Sequence, residues 1–363
     1  MPTSNRLRRR DFLKSAALSG VALPAIAEEK SPNEKLSVAV IGVAGRGAAQ
    51  LNAAAEENIV ALCDVDSQKL GAAAGRFPKA RTFADFREMF DQMHRQIDAV
   101  TVSTPDHVHA PASAMAMRLG KHCYCEKPLT HSVHETRVLT DLAREKKLAT
   151  QLGTQIHAGT NYRRAVELVQ GGAIGPVREV HVWLGANFQN PPRPSGISQP
   201  DAPADRPPVP PHLDWGLWLG PAPERPYHPA YVPGRWRSWW AFGNGTLGDF
   251  FCHYCDLAFW ALKLRYPTSV AAEGPVHPES AARWTIARLE FPARETLPPV
   301  SLTWYNGGGY PALVKDRHVP EWGSAVLFVG AEGMLIADYG RHKLLPEAKY
   351  ADFQRPEPTI PDS

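Results

Sequence analysis

The feature that most constrains the fold of this chain is an alternation of short apolar runs with helical stretches between residues 36 and 151. Five apolar runs predict strands, at Leu36–Ile41, Ile59–Cys63, Ala99–Ser103, His122–Cys125 and Leu148–Gln151. Helices are predicted between the strands, for example over Pro111–Leu119 and Ser132–Lys146. Apolar strands that alternate with helices are typical of a parallel, doubly wound sheet. The sequence therefore predicts an α/β domain over residues 36–153.

The pattern changes after about Gly153. Longer strands are predicted without obvious helices between them, at Val177–Leu184, Trp284–Phe291, Val300–Tyr305 and Ala325–Val329. This indicates a second domain, residues 154–363, built on a large and mainly antiparallel sheet. An insert rich in proline and tryptophan occupies residues 186–240, and its first part is a poor candidate for regular structure. Trp236 and Trp240 in this insert are predicted to stack on the apolar face of a sugar; the alternative is that they only pin the loop to the sheet.

The first 27 residues are typical of an export signal. Arg9 and Arg10 precede a mild apolar run, and Ala25-Ile26-Ala27 has the small-x-small form of a cleavage site. The apolar run is too short to span a bilayer, so we predict a twin-arginine signal peptide and a periplasmic or otherwise exported protein. The alternative is a basic disordered tail. The twin-arginine route carries folded proteins, often with a cofactor already bound.

Charge and cysteine content exclude some kinds of partner. The chain has 40 basic and 37 acidic residues, but five basic residues and one acidic residue belong to the signal, so the remainder is close to neutral. We therefore predict no nucleic-acid partner and no membrane partner. Five cysteines, an odd number and mostly in apolar runs, predict buried thiols rather than disulfides. Cys123 and Cys125 with Cys252 and Cys255 offer an alternative zinc site, but core packing on a central strand is the favoured interpretation, and no metal is predicted.

A glycine-rich loop follows the first predicted strand. The run Gly42-Val43-Ala44-Gly45-Arg46-Gly47 places Gly42, Ala44 and Gly47 at the three positions of a dinucleotide fingerprint, and a helix follows it. Amides at the start of that helix would hold the pyrophosphate. Asp64 ends the second strand, where a carboxylate hydrogen-bonds the ribose 2′-hydroxyl and repels a 2′-phosphate. The order of strand, loop, helix, strand and acid predicts NAD rather than NADP; the alternative is a Rossmann-like fold without nucleotide.

Two further motifs carry candidate chemistry. Lys127, before Pro128, is pushed out of the helical region and so lies on a bend after a strand, where a charged side chain is either functional or merely solvated. A helix predicted from Thr246 to Leu262 places Asp249, His253 and Asp256 on one face. We expect an ionised Asp249 to orient His253 and support its protonated form. The alternative is a capping box at Thr246 and Asp249 with a solvated polar face.

These motifs together resemble the Gfo/Idh/MocA family of oxidoreductases, named after glucose–fructose oxidoreductase and inositol dehydrogenase. The resemblance runs over nearly all of the chain after the signal, through the loop at Gly42, Thr104-Pro105-Asp106-His107, Glu126-Lys127-Pro128, Gly153-Thr154-Gln155 and the run from Gly243 to Asp256. It implies a Rossmann domain followed by an open, mainly antiparallel sheet that serves substrate binding and homo-oligomer contacts. Two features depart from the family pattern. Ala44 replaces the usual glycine, and a further helix and strand are expected beyond residue 363.

The resemblance also implies roles for individual residues. Lys127 would contact the reacting hydroxyl, its bond to Pro128 is often cis in the family, and His157 is a further candidate substrate contact. The cofactor would be contacted by Gly42, Ala44, Gly45, Arg46, Gly47, Asp64, Thr104, Pro105, His107, Glu126, Lys127 and Gln155. The expected reaction is hydride transfer between NAD and a hydroxyl of a sugar or cyclitol, with His253 as general base, Lys127 stabilising the oxygen, and Asp249 holding His253 or a neighbouring hydroxyl. The alternatives are an NAD-dependent glycosidase and a non-catalytic sugar or cofactor binder.

Overall fold

The computed structural model describes residues 35–185 and 201–362. The predicted signal peptide, residues 1–27, and the first part of the proline-rich insert lie outside these described residues. No helix in the described ranges is both long and apolar enough to cross a bilayer. The five cysteines are free, and all except Cys252 are fully buried.

The first sheet has six parallel strands in the order β3-β2-β1-β4-β5-β6, which confirms the predicted doubly wound domain. Its strands are β1 Ser37–Ile41, β2 Asn58–Cys63, β3 Arg81–Phe83, β4 Ala99–Val102, β5 His122–Glu126 and β6 Thr150–Gly153. Its helices are α1 Arg46–Ala53, α2 Ser67–Arg76, α3 Phe86–Met93, α4 Asp106–Arg118 and α5 Val133–Lys146. The strand order reverses between β1 and β4. Ligands of open α/β sheets bind at such a point, beyond the carboxyl ends of the strands.

The second sheet has seven strands in the order β13-β12-β11-β7-β10-β9-β8. The strands are β7 Val177–Leu184, β8 Ser269–Glu273, β9 Thr285–Phe291, β10 Val300–Asn306, β11 Ser324–Gly330, β12 Met334–Ala337 and β13 His342–Leu345. Among the described strands only β7 and β10 pair in parallel, and the other pairings are antiparallel. The four predicted strands are confirmed, and the predicted mainly antiparallel sheet is correct.

The described part of the chain after β6 contains four α-helices, of which only the first and third pack on the same face of the second sheet. Their bounds are α6 Thr160–Gln170, α7 Trp215–Leu219, α8 Gly245–Ala261 and α9 Ala312–Lys315. The apolar sides of α6 and α8, including Tyr162 and Leu257, share one core with the buried faces of the central strands, including Trp304 and Phe328. The predicted helix from Thr246 to Leu262 is thus confirmed within a residue at each end. Because its apolar side is fixed against the sheet, its polar side is held in a single orientation.

The described part of the insert contains α7 and one 3₁₀ turn, Arg235–Ser238, and its aromatic side chains form a core of their own with Phe242 just beyond it. Trp218, Tyr231, Trp236, Trp239 and Phe242 pack together and are largely buried. Most of the tryptophans in this segment therefore do pin the loop, as the alternative interpretation states. The segment is also joined to the first domain, since the Nε2 atom of His107 lies 3.0 Å from the Trp218 carbonyl oxygen.

Candidate functional site

A large cavity lies at the carboxyl edge of the first sheet, bounded on its other side by α8 and the insert. Its volume is about 1310 Å³, which exceeds the usual range of about 300 to 1,000 Å³ for small-molecule sites. A cavity of this size suits a dinucleotide together with a second, smaller molecule. The predicted site residues on its wall are Gly42, Ala44, Gly45, Arg46, Asp64, Thr104, Pro105, Glu126, Lys127, Gln155, Trp236, Asp249 and His253.

The glycine loop is packed so closely that two of its residues must be glycine. Gly42 has φ +81°, and a Cβ there would lie 2.7 Å from the carbonyl oxygen of Ser103. A Cβ on Gly47 would lie 1.9 Å from the Gly42 carbonyl oxygen. Gly45, at the start of α1, has open space on its side. The loop, the helix start and the cavity therefore fit a pyrophosphate, with Ala44 tolerated because Gly45 leaves room beside it.

Asp64 holds the loop in this shape. Its carboxylate accepts hydrogen bonds from the amides of Val43, at 3.0 Å, and Asp66, at 3.0 Å. Burial raises the pKa of Asp64 above its ordinary value, and the two amide bonds oppose this rise. A carboxylate at the end of β2, on the cavity wall, is where a ribose hydroxyl would be bound in a Rossmann domain.

Glu126, at the end of β5, accepts hydrogen bonds from three side chains. Its Oε1 atom accepts from Arg46 Nε at 2.9 Å, from Gln50 Nε2 at 2.6 Å and from the Tyr124 hydroxyl at 3.2 Å. Arg46 and Glu126 therefore neutralise each other. The next bond along the chain, between Lys127 and Pro128, is cis, as the resemblance implies.

Lys127, Asp249 and Arg237 form a buried ionic cluster at the far end of the cavity. Lys127 Nζ donates to the main-chain oxygen of Asp249, at 2.7 Å, and to its Oδ1 atom. The other carboxylate oxygen, Oδ2, lies 3.3 Å from Arg237 Nε. An ammonium group has three donor hydrogens, so one donor of Lys127 remains for an incoming oxygen. Asp249 thus orients the two cations.

His253 lies one turn further along α8 and is uncharged at neutral pH. Burial, then the positive charge of Lys127, lowers its pKa to about 4, although Asp249 acts in the opposite direction. The prediction that Asp249 supports the protonated form of His253 is therefore wrong at neutral pH, because burial and Lys127 lower the pKa by more than Asp249 raises it. Its Nδ1 atom is buried without a hydrogen-bond partner, and its ring packs against Tyr339, with 5.9 Å between ring centroids. A neutral imidazole is the form that can accept a proton.

Asp106, in the first turn of α4, is a buried acid on the cavity wall and was not among the predicted site residues. Burial, then the negative charge of Asp249, raises its pKa to about 8, against the opposing charges of Arg237 and Lys127. At neutral pH it is therefore mainly a carboxylic acid, able to donate a proton or a hydrogen bond. The cavity that Asp106 lines is completed by the insert and α8. The pattern of strands and helices in the sequence does not predict that these segments come together there.

Four predicted site residues are not on the cavity wall. His107 is buried between carbonyl oxygens of the insert, and its pKa falls to about 4 because of burial. His157 pairs with Asp256 at 2.9 Å and stacks on Trp260, with 4.1 Å between ring centroids. Trp240 lines a separate, smaller cavity and donates to the His277 carbonyl oxygen. Gly47 packs against the main chain of Gly42 within the glycine loop. His157 and Trp240 as substrate contacts, and His107 as a cofactor contact, thus have no support from these positions.

Comparison with protein families settles what kind of protein carries this site. Residues 36–154 match the family model described as an oxidoreductase family with an NAD-binding Rossmann fold. Residues 168–292 match the model of that family's C-terminal α/β domain. The two matches together cover more than half of the chain, in the order in which the two sheets occur. The chain belongs to the Gfo/Idh/MocA family of oxidoreductases. Its first domain is of the NAD-binding type, and NAD is the cofactor that the glycine loop and Asp64 fit.

Several relatives of this Gfo/Idh/MocA member have names that refer to sugars. A dTDP-3,4-didehydro-2,6-dideoxy-α-D-glucose 3-reductase from Streptomyces violaceoruber is 38% identical over 135 residues, which are 37% of each chain. A glycosyl hydrolase family 109 protein from Shewanella pealeana is 27% identical over 201 residues, 47% of this chain and 44% of the relative. The chain therefore matches less than half of the length of either curated relative.

Solved structures confirm the fold of this Gfo/Idh/MocA member. The WlbA dehydrogenase from Bordetella pertussis, in complex with NADH and UDP-GlcNAcA, superposes with a TM-score of 0.60. The superposition covers 85% of this chain and 80% of that chain, at 18% sequence identity. At this level of identity the likeness concerns the fold alone.

Proposed function

We propose that this protein is an NAD-dependent oxidoreductase that acts on a hydroxyl group of a sugar, cyclitol or related polyol. The observation that carries the proposal is the meeting of Lys127 and His253 in the same cavity as the glycine loop. The names of the relatives support a sugar as the substrate class. NAD, when bound by the glycine loop, Asp64 and the residues around Glu126, would supply the hydride acceptor or donor.

The side chains of this chain divide the remaining work between them. His253, neutral because of burial and Lys127, takes the hydroxyl proton as general base. Burial makes it a weaker base than an ordinary imidazole. Lys127 offsets this by directing its remaining donor at the same oxygen and stabilising the negative charge that develops there. Asp249, itself paired with Arg237, holds the Lys127 ammonium in place, so that little reorganisation is needed when the oxygen arrives.

Replacement of Lys127 tests this proposal. Lys127→Met should lower kcat at least about a hundredfold, the loss typical of a positioned acid–base group, while the Kd for NAD changes only a few-fold. Lys69→Met is a matched control, because Lys69 also lines the cavity but pairs with Asp66 at 3.0 Å, away from the cluster. Turnover of Lys127→Met near the wild-type value, with any sugar that the wild type oxidises, would remove Lys127 from the mechanism.

A second candidate function is an NAD-dependent glycosidase, in which oxidation at C3 is transient. Oxidised C3 would acidify the C2–H bond; a base would take the C2 proton while the C1–O bond breaks and the leaving oxygen gains a proton; water would then add to the C1=C2 double bond, with hydroxyl at C1 and a proton at C2, and the hydride would return to C3. Such a cycle needs an acid for the leaving group, and the protonated Asp106 on the cavity wall is a candidate for it. The glycosyl hydrolase family 109 relative points the same way.

Aryl glycosides in deuterated water separate the two functions. With NAD present and no external acceptor, an oxidoreductase should interconvert free sugars and their keto or reduced forms without releasing the aryl alcohol. Release of the aryl alcohol together with deuterium at C2 of the sugar would favour the glycosidase. Asp106→Asn should then abolish release while leaving C2 exchange in place, because exchange precedes departure of the leaving group.

We also propose export by the twin-arginine route and self-association through the second sheet. Arg9 and Arg10 with the small-x-small site support export. Self-association is supported by β8, which is exposed along its whole length at the edge of the sheet and pairs with β9 alone in the described structure. Light scattering of the purified protein at several concentrations tests the second proposal: a monomer at every concentration would contradict it.

A further inference from the structure

Packing against neighbouring residues fixes the position of the Arg237 guanidinium group, which lies in the 3₁₀ turn Arg235–Ser238. Its Cζ atom lies 4.2 Å from the centre of the Trp236 ring, and both side chains line the large cavity. A Cβ on Gly243 would lie 2.8 Å from the Arg237 Cα atom and 3.1 Å from the Trp236 ring. The backbone before α8 therefore packs directly on this pair and fixes where the guanidinium stands.

Within residues 35–185 and 201–362, most of the hydrogen-bonding capacity of this guanidinium is unused. Apart from the ion pair between its Nε atom and Asp249, it has no hydrogen-bond partner among the residues that the structure describes. Its side chain is 28% exposed, so solvent or a ligand can reach it. A stacked guanidinium of this kind offers a planar, bidentate edge, which matches the two oxygens of a carboxylate.

The charges at this end of the cavity do not balance. Lys127 and Arg237 contribute two positive charges, and Asp249, which both of them contact, contributes one negative charge. Asp106 is mainly uncharged at neutral pH and His253 is neutral. Arg46 and Glu126 cancel each other. Among the described residues at this end of the cavity, one positive charge is therefore left without a counterion in a partly desolvated site, where a single negative charge on a ligand is strongly favoured.

We propose that the substrate is an acidic sugar, a uronic acid, whose carboxylate binds the Arg237 guanidinium while its ring hydroxyl meets Lys127 and His253. This inference rests on the proposed oxidoreductase function and narrows its substrate class. A carboxylate carries one charge, which matches the single unbalanced charge, whereas a phosphate ester would bring close to two. Trp236, beneath the guanidinium, completes the wall against which the carboxylate is bound.

Binding to the complex with NADH tests the proposal without turnover. Calorimetric titration should use D-glucuronate and D-galacturonate, the neutral sugars D-glucose and D-galactose, and D-glucose 6-phosphate. The wild type should bind at least one uronate about tenfold or more tightly than the neutral sugar of the same configuration, and more tightly than the phosphate ester. Equal or weaker binding of both uronates would overturn the inference, as would tighter binding of the phosphate.

Variants of Arg237 show whether the preference resides in the guanidinium. Arg237→Met should remove the preference for uronate, and Arg237→Lys should retain only part of it, because an ammonium lacks the bidentate edge. Arg235→Met, which removes an exposed arginine of the same turn, should leave the preference intact. Unchanged NAD affinity and melting temperature verify that the variants are folded. A uronate preference that survives in folded Arg237→Met would overturn the assignment.

The outcome also separates this inference from the function on which it rests. Oxidation of neutral sugars with NAD, without a preference for uronates, would overturn the inference and leave the oxidoreductase function standing. Failure of every sugar both to bind the NADH complex and to reduce NAD would overturn the two together.

Discussion

The pKa of His253 is the quantity on which the proposed mechanism depends most directly. An ordinary histidine titrates near pH 6.5, but burial and the charge of Lys127 bring the pKa of His253 to about 4, with Asp249 acting against them. Two substitutions should therefore move it in opposite directions. Lys127→Met removes a lowering charge, so the pKa should rise by roughly one unit, the lower end of what a close charge contributes. It should stay below 6.5, because the burial persists.

Asp249→Asn removes the one neighbour that raises the pKa of His253, so the pKa should fall below about 4. The assay is NMR of protein labelled at the histidine Cε1 position, titrated from pH 8 to pH 5. The resonance of His253 is the one that disappears in His253→Asn. In the wild type and Asp249→Asn this resonance should hardly move, and in Lys127→Met it should begin to shift towards pH 5.

The contrast between a resonance that shifts in Lys127→Met and one that does not shift in Asp249→Asn gives the experiment its force. A general loosening of the site would let water in and raise the pKa of His253 in both variants, so it cannot imitate the expected pair of results. A wild-type titration midpoint near pH 6.5 would show that burial and the charge of Lys127 do not lower the pKa of His253. A rise in Asp249→Asn would show that Asp249 acts on His253 mainly through packing rather than through its charge.

Three further predictions concern cofactor choice, stability and export. Asp64→Ser should reduce the preference of the protein for NAD over NADP in fluorescence titrations; a wild-type preference for NADP would show that Asp64 does not meet the 2′ position. The stability of Asp106→Asn relative to the wild type should be greater at pH 8 than at pH 5, as thermal melts at the two pH values would show. The raised pKa of Asp106 makes the wild type lose up to about 1.4 kcal/mol per pH unit between its unfolded and folded pKa values, because the unfolded state then binds fewer protons, and a constant difference would contradict this. Lysine at both Arg9 and Arg10 should leave folded protein in the cytoplasm, as fractionation would show, whereas unchanged export would indicate the general secretory route.

The elements with strong apolar patterns were predictable from the sequence, and the weakly patterned ones were not. β7 was predicted residue for residue, since the apolar residues Val180, Val182 and Leu184 recur at every second position along it. β3 has three residues, of which two are exposed, and all five residues of β8 are exposed. Such strands owe their place to backbone pairing with a neighbour rather than to burial of their own side chains, so no periodicity marks them.

Helix-start motifs predicted the structure where the hydrogen bonds join residues close in sequence. They failed where a residue distant in sequence binds one of the motif's side chains. Ser132 and Glu135 form a capping box at the start of α5. The alternative capping box at Thr246 and Asp249 is absent, because α8 begins after Asn244 and Asp249 is held by Lys127, 122 residues earlier in the chain. Arg237 was missed for the same reason, since its role follows from a contact across the insert that no spacing within the sequence indicates.

The parallel pairing of β7 with β10 has a consequence for how this site can diversify. Because β10, β9 and β8 alternate in direction, β8 runs the same way as β7, and the chain must return across the sheet between them. That return path, residues 185–268, contains the insert, Arg237 and the helix that carries His253. Lengthening a connection of this kind costs only about 0.6 kcal/mol for each doubling. New lengths of chain can therefore enter the return path and rebuild one wall of the cavity, while the strand register and the glycine loop on the opposite wall stay as they are.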